Sequence, residues 1–267
     1  DFKSTETRSV ITSIGAKNKV AKRIIDFMPE HKTYIELFGN TASILLKKER
    51  SLKEVYNDIN GDVTNFFMVL RDNPIGLYNA SSVLPYSQQF YDKLLKSPTP
   101  DDPLERAARF FYLNRASFLG NQFPGFRCDG KNRNFANFYI NECKRFYSIS
   151  KRMQGVEITN KDYSKLIKKN IDDPDTLFLA DPPYYDGTDY YEHSFKLKDH
   201  IELATLLSKI KGKAMVCHCK NYQIHKLYTG LGFRYERIRS KYYSSIISTK
   251  SGQKVRPDSP LYLYLNY

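Results

Sequence analysis

The 267-residue chain contains no tryptophan, four cysteines and no apolar run approaching the ~18 residues that a membrane-spanning helix requires. A helical membrane span is therefore not expected, and no secretory signal is recognisable. Cys128, Cys143, Cys217 and Cys219 form neither a disulfide framework nor a Cys-x-x-Cys zinc pattern. Cys217-His218-Cys219 ends a run from Lys213 that has the character of a strand. Neighbouring strand side chains face opposite ways, so only the two cysteines could share a site there, and no metal is expected. Reduced thiols without an export signal predict a cytoplasmic protein. Acidic residues are scarce as well: 29 Asp and Glu stand against 42 Lys and Arg, a formal net charge of +13. A surplus of that size predicts a polyanionic partner, and nucleic acid is the usual one.

Aromatic side chains are plentiful instead, with 21 Tyr and 17 Phe inside a hydrophobic fraction of 41%. So modest a fraction puts many tyrosines at the surface or along grooves, where a ring can stack on a base while its hydroxyl stays wet. Helix and strand signals alternate at first: an amphipathic helix over 15–27, a strand over 33–38, a helix over 44–49, a strand over 52–56 and a helix over 62–70. That alternation predicts a parallel sheet. Over 71–150 strand signals vanish, Pro98, Pro100 and Pro103 cluster, and helices are expected at 104–114 and 136–153. Between those helices lies 118–134, rich in Gly, Asn, Arg and Phe, the composition of a loop or hairpin in an inserted recognition module. Sheet signals resume at 156–159, 176–180, 214–219, 233–237 and 261–265, with helices at 164–169, 198–209 and 221–231.

The most informative segment is Asp181-Pro182-Pro183-Tyr184, directly after the apolar run 175–180. Neither proline can donate a ladder hydrogen bond, so the strand stops abruptly in a stiff loop. Carboxyl ends of strands are where open α/β sheets bind their ligands. This loop offers a carboxylate, a backbone carbonyl and an aromatic face, which together can grip a planar exocyclic amine. Two βα turns suit a nucleoside: Glu36-Leu37-Phe38-Gly39-Asn40 ends the first strand, with Gly39 permitting close approach, and Asp58 ends the second, where an acid can accept from ribose hydroxyls. Asp162 follows a third strand end. It either accepts from a cofactor amine or caps the next helix.

These residues resemble the DNA adenine-N6 methyltransferases of the Dam type, in the α order of motifs. Gly15-Ala16-Lys17 is similar to the family's N-terminal Gly-Gly-Lys element, and 36–43 stands where the family has Glu-Pro-Phe-x-Gly-x-Gly. Tyr56-Asn57-Asp58-Ile59-Asn60-Gly61-Asp62 resembles the Asn-Asp-Ile-Asn-x-Asp segment, and Leu113-Asn114-Arg115 the Leu-Asn-Arg that leads into a DNA-reading hairpin. Asp181 to Tyr184 matches the catalytic tetrad, and Ser194-Phe195 the Ser-Phe that closes the following loop. The chain departs from the pattern at Gly39-Asn40-Thr41-Ala42, where one glycine sits at a shifted position, and its hairpin is longer than usual.

The resemblance implies a Rossmann-like, S-adenosylmethionine-dependent α/β methyltransferase (1–70 and 151–267) with an inserted, mainly helical DNA-recognition domain (71–150). It implies Asp181, Pro182, Pro183 and Tyr184 as catalytic residues. Lys17, Glu36, Phe38, Gly39, Asn40, Asp58, Asp162 and Asp181 would hold S-adenosylmethionine. Arg115, Asn121, Arg127, Lys131, Arg133, Phe195, Lys250 and Lys254 would contact double-stranded DNA, whose target base is flipped out of the helix. A restriction endonuclease counterpart is a further possible partner. Two other readings stay open: methylation of RNA adenine or cytosine N4, and a catalytically silent DNA-binding homologue.

Overall fold

The computed structural model of the protein describes residues 8–13, 15–118, 120, 123–128, 133–185, 195–239, 247–248, 254–255 and 260–267. After a 3-10 turn at Lys17–Lys19 come α1 (Ala21–Ile25), β1 (Thr33–Glu36), β2 (Lys53–Asn57), α2 (Gly61–Asp72), α3 (Pro74–Ser82) and α4 (Gln88–Lys96). Next are α5 (Pro103–Ala116), β3 (Ser117–Phe118), β4 (Phe123–Phe126), α6 (Phe135–Cys143), α7 (Phe146–Met153), β5 (Val156–Thr159) and α8 (Tyr163–Lys169). The chain ends with β6 (Thr176–Ala180), α9 (Leu197–Leu207), β7 (Lys213–Cys219), α10 (Tyr222–Gly230), β8 (Arg234–Ile238), β9 (Ile247–Ser248), β10 (Lys254–Val255) and β11 (Leu261–Leu265). Among the described residues this is a mixed α/β protein with seven principal strands, mostly parallel. No described helix is long and apolar enough to cross a membrane.

Two compact units divide the chain. One comprises Lys22–Phe38 and Asp162–Tyr267. Its strands lie in the order β1-β6-β7-β11-β8, with β1, β6 and β7 parallel and β11 antiparallel to both its neighbours. Every residue of β6 is buried, as an apolar strand inside a parallel array requires. Glu36, the last residue of β1, pairs with Leu179, and Ala180, the last of β6, pairs with Val216, beyond which β7 continues to Cys219.

The other unit comprises Asp1–Ala21 and Gly39–Lys161. It contains the parallel pair β2–β5, the β3–β4 hairpin and helices α2 to α7. Its helices close around rings. Phe66 stacks on Phe111 at 5.7 Å, Phe146 meets Phe111 edge-on at 4.7 Å, and Tyr112 meets Tyr139 at 5.5 Å. Two of these helices escaped the sequence reading although each has a cap. Asn73 accepts from Gly76 N–H before Pro74, and Ser87 accepts from Phe90 N–H. The single helix expected over 136–153 is two, α6 and α7, and neither glycine nor proline marks the break. No helix forms over 44–49. The segment runs as turns whose hydrogen bonds alternate between three- and four-residue spacing, and Arg152 takes the Leu45 and Lys48 carbonyls.

Arg152 belongs to a buried charge triad. Its guanidinium forks onto Glu54 at 2.7 and 2.9 Å, while the Lys48 ammonium donates to the same carboxylate at 2.6 Å. All three side chains are no more than 3% exposed. Burial alone would raise the Glu54 pKa, but the Arg152 hydrogen bonds and the Lys48 charge outweigh it and hold the carboxyl below its usual range. Removing that carboxylate would leave two cations buried together. Glu54→Gln should therefore destabilise the protein by about 3–5 kcal/mol in urea denaturation. A loss under about 1 kcal/mol would show that the cations reach water and that the triad is dispensable.

Candidate active site

β6 delivers Asp181 at its carboxyl end, and the two prolines carry the chain away from the sheet. Pro182 is buried, whereas Asp181, Pro183 and Tyr184 are half-buried. The Tyr184 ring lies against His218 on β7, with centroids 4.8 Å apart. The next residue, Tyr185, donates its backbone N–H to His218 Nε2 at 3.1 Å. His218 Nδ1 faces the Cys219 carbonyl at 2.9 Å. A carbonyl can only accept, so Nδ1 carries the hydrogen and Nε2 is the acceptor. His200, from α9, meets the His218 ring edge-on at 5.1 Å, and neither histidine has any exposed surface. Burial, reinforced by the charge His218 would carry, lowers the His200 pKa to about 3 against the opposing effect of the Pro183 carbonyl.

Three further rings extend this cluster. Phe38, just beyond β1, packs on Tyr163 at 5.3 Å and edge-on to Phe195 at 5.6 Å, and Phe195 lies 4.6 Å from His200. Phe38 and Phe195, expected at a cofactor and at DNA respectively, are thus neighbours. Glu36 is buried and accepts from the Tyr34 hydroxyl at 3.1 Å. Asp162 caps α8, accepting from Ser164 N–H at 2.9 Å, which is the capping role its position before a helix allowed. Among the described residues no group of histidine, cysteine and acidic side chains could hold a metal, although Cys219 Sγ comes within 3.6 Å of His218 Nδ1.

In the other unit, Asp58 brackets the turn after Phe38. One carboxylate oxygen accepts from Asn40 N–H at 2.7 Å and the other from Asn60 N–H at 2.8 Å. Asn60 in turn caps α2. Asn40 and Ala42, which stand at the two glycine positions of the resembling loop, have φ of 43° and 54°. The turn takes a left-handed path here without glycine at either position. Gly39 also makes room for a neighbouring ring. A Cβ there would sit 2.1 Å from the Tyr56 ring, whose hydroxyl donates to the Asn40 carbonyl at 2.6 Å. Lys17 is buried, with its ammonium on the Gly15 carbonyl at 2.8 Å.

The hairpin side chains divide unevenly. Arg115 is 3% exposed, its guanidinium lies 4.6 Å from the Phe138 ring, and burial lowers its pKa to about 10 despite Glu142. The expectation that Arg115 contacts DNA thus falls on a side chain enclosed by the protein. Asn114 beside it clamps Thr12, accepting from its N–H at 2.9 Å and donating to its carbonyl at 2.8 Å. Arg127 is half-buried and lays its guanidinium over Phe135 at 4.3 Å. Arg133 is exposed. Asn121, Lys131 and Lys250 lie outside the described residues, and of Lys254 only its backbone pairing with Ser248 is described. Tyr163, His200 and His218, which pack in this cluster, were not among the residues expected here. Strand alternation placed His218 opposite its flanking cysteines but could not say what it faced.

Two measurements test these local arguments. Valine cannot hold a positive φ comfortably whereas glycine can, so Asn40→Val should cost at least about 1 kcal/mol more stability than Asn40→Gly. Equal costs in thermal denaturation would mean the turn is not left-handed in solution. His200 stays neutral in the fold while the unfolded chain takes up a proton below about pH 6.5. Its contribution is therefore complete above that pH and is lost as pH falls toward the folded value of about 3, by about 1.4 kcal/mol per pH unit in between. His200→Gln should flatten the acid slope of urea stability by about one proton, and an unchanged slope counts against a neutral buried ring.

A match to the D12 class of N6 adenine-specific DNA methyltransferases covers residues 13–246. Among curated proteins the chain is similar to a DNA N-6-adenine-methyltransferase of Escherichia phage P1, 27% identical over 254 residues, covering 86% of this chain and 32% of that protein. It is 24% identical to the Type II methyltransferase M.CviBI of Paramecium bursaria Chlorella virus NC1A, covering 93% of this chain and 96% of that one. A DNA adenine methylase of Salmonella typhi is 22% identical, with 97% and 96% covered. The chain thus spans about a third of the phage P1 relative and nearly all of the other two. With the tetrad at the end of a buried parallel strand and a match across most of its length, the chain belongs to the D12 class of N6 adenine-specific DNA methyltransferases.

Proposed function

We propose that the protein methylates the N6 of adenine in double-stranded DNA, taking the methyl group from S-adenosylmethionine. The observation that carries this reading is the Asp181–Tyr184 loop at the carboxyl end of β6, with Tyr184 backed by a buried ring. An adenine amine is a weak nucleophile because its lone pair is delocalised into the ring. Asp181 and the Pro182 carbonyl each accept one N–H, drawing the nitrogen toward a tetrahedral form whose lone pair can attack. Tyr184 stacks on the base. The cofactor supplies an electrophilic methyl group on a sulfonium, so holding the amine in line is most of what the protein must do. Because the amine is inside the duplex, the base must be flipped out, at an unstacking cost of about a few kcal/mol.

The donor set suits that cofactor. Asp58 places a carboxylate just beyond β2 for ribose hydroxyls, Glu36 is a buried carboxylate, and Phe38 offers a ring beside Tyr163. Lys17, Gly39, Asn40 and Asp162 stand in this reading as the framework of the cofactor loops. Residues 1–70 and 151–267 then serve catalysis, and 71–150 recognition. Arg127, with one face covered by Phe135, keeps its N–H edge for a base. Arg133, Lys131, Lys250 and Lys254 suit phosphates, and Asn121 suits a base edge. Arg115 acts from behind Phe138. The Type II relative makes a restriction counterpart a reasonable companion.

Incubation with labelled S-adenosylmethionine and mixed-sequence DNA, followed by mass spectrometry of the nucleosides, should yield N6-methyladenosine in its deoxy form. Asp181→Ala should cut turnover at least about 100-fold and leave DNA affinity within about twofold, because the carboxylate acts on the amine and touches no phosphate. Label on cytosine or RNA, or a variant within about tenfold of the parent, would overturn the assignment.

A further inference from the structure

We propose that His218 is a positioning residue for methyl transfer: as an obligate hydrogen-bond acceptor it fixes the end of the tetrad loop and backs the ring of Tyr184. The inference rests on the functional reading above and adds to it a residue outside the tetrad.

Four observations converge on this ring. It is fully buried on β7, the strand that pairs with β6, which ends at the tetrad. Its Nδ1 is committed to the Cys219 carbonyl, which leaves Nε2 without a hydrogen. That nitrogen receives the N–H of Tyr185, the first residue after the tetrad, at 3.1 Å. The same ring supports Tyr184 at 4.8 Å. One imidazole therefore restrains both the backbone where the tetrad ends and the side chain proposed to stack on the base. His200 encloses it from α9, itself covered by Phe195 and held neutral by burial. The Asp181-Pro182-Pro183 backbone is stiff by composition, but nothing covalent restrains Tyr184. Without the acceptor, Tyr185 N–H has no partner from His218 and the ring can tilt. The amine would then be bound but misaligned, a fault that affects turnover more than binding.

The experiment compares His218→Phe, which keeps a ring and removes the acceptor, with His218→Gln, whose side-chain carbonyl can reach the position of Nε2. Turnover is measured on a duplex that the parent protein methylates, together with the cofactor KM and DNA affinity. His218→Phe should lower kcat about 10- to 100-fold with KM and DNA affinity within about twofold, and His218→Gln should recover kcat to within about fivefold of the parent. Full activity in the Phe variant, or equal loss in both variants despite normal melting temperatures, would overturn the proposal. If either variant fails to fold, nitrogen-15 NMR of the parent decides: the proposal requires the Nδ1–H tautomer, and an Nε2–H signal sinks it. A parent protein that methylates no DNA adenine would instead refute the functional reading, and the tautomer measurement would still judge the hydrogen bond.

Discussion

The Glu54 carboxylate is the constraint on which much of the unit comprising Asp1–Ala21 and Gly39–Lys161 rests. It sits at the second position of β2 and takes Arg152 from the end of α7 and Lys48 from the turn segment before the strand. Glu54 and its two partners come from three places in the chain, so one buried group fixes strand, turn and helix together. Arg152 then satisfies carbonyls that the irregular segment leaves exposed to the interior, and Arg50 caps the end of α7 through the Lys151 and Arg152 carbonyls. A helix over 44–49 would have hydrogen-bonded the Leu45 carbonyl internally, to Glu49 N–H. Turns need an outside donor, and the buried guanidinium is that donor.

The loops of the site show the same economy on a smaller scale. Asp58 and Asn57 lie side by side at the end of β2 and do opposite work. Asn57 reaches toward the β5 end, accepting from Lys161 N–H and Thr159 Oγ1 and donating to the Lys161 carbonyl. Asp58 reaches toward the turn at Asn40 and the cap at Asn60. The adjacent amide and carboxylate thereby pin three loops in one unit with short polar contacts rather than apolar packing. Loops held this way keep their ends in register while leaving open surface for a ligand.

Much of this was legible in the sequence, for reasons that differ by element. β6 and β11 were placed from their apolar runs because buried strands admit almost nothing else. The tetrad was legible because two prolines at the end of a strand leave one backbone outcome. What escaped depends on contacts distant in sequence. The turns at 44–49 follow from Arg152, about a hundred residues later, and no local periodicity carries that information. Arg115 was expected at DNA, and nothing near it in the sequence announces that Phe138 and Glu142 will lie beside it. His218 was read only as facing away from its flanking cysteines, and its contacts emerge only once α9 and the tetrad loop lie over β7.

Gly39 and Tyr56 carry a consequence for how such a chain can change over time. The space a methyl group would fill at position 39 is occupied by the Tyr56 ring, and that ring's hydroxyl also holds the Asn40 carbonyl. Neither position can vary alone: a side chain at 39 collides unless 56 shrinks, and a smaller residue at 56 abandons the turn that 39 begins. The order of substitutions is therefore constrained. Position 56 must lose its ring before position 39 can gain a side chain, and the intermediate has a cavity and an untethered turn. Lineages holding the pair in this form are confined to it by the cost of that intermediate, whatever the merits of the alternatives beyond it.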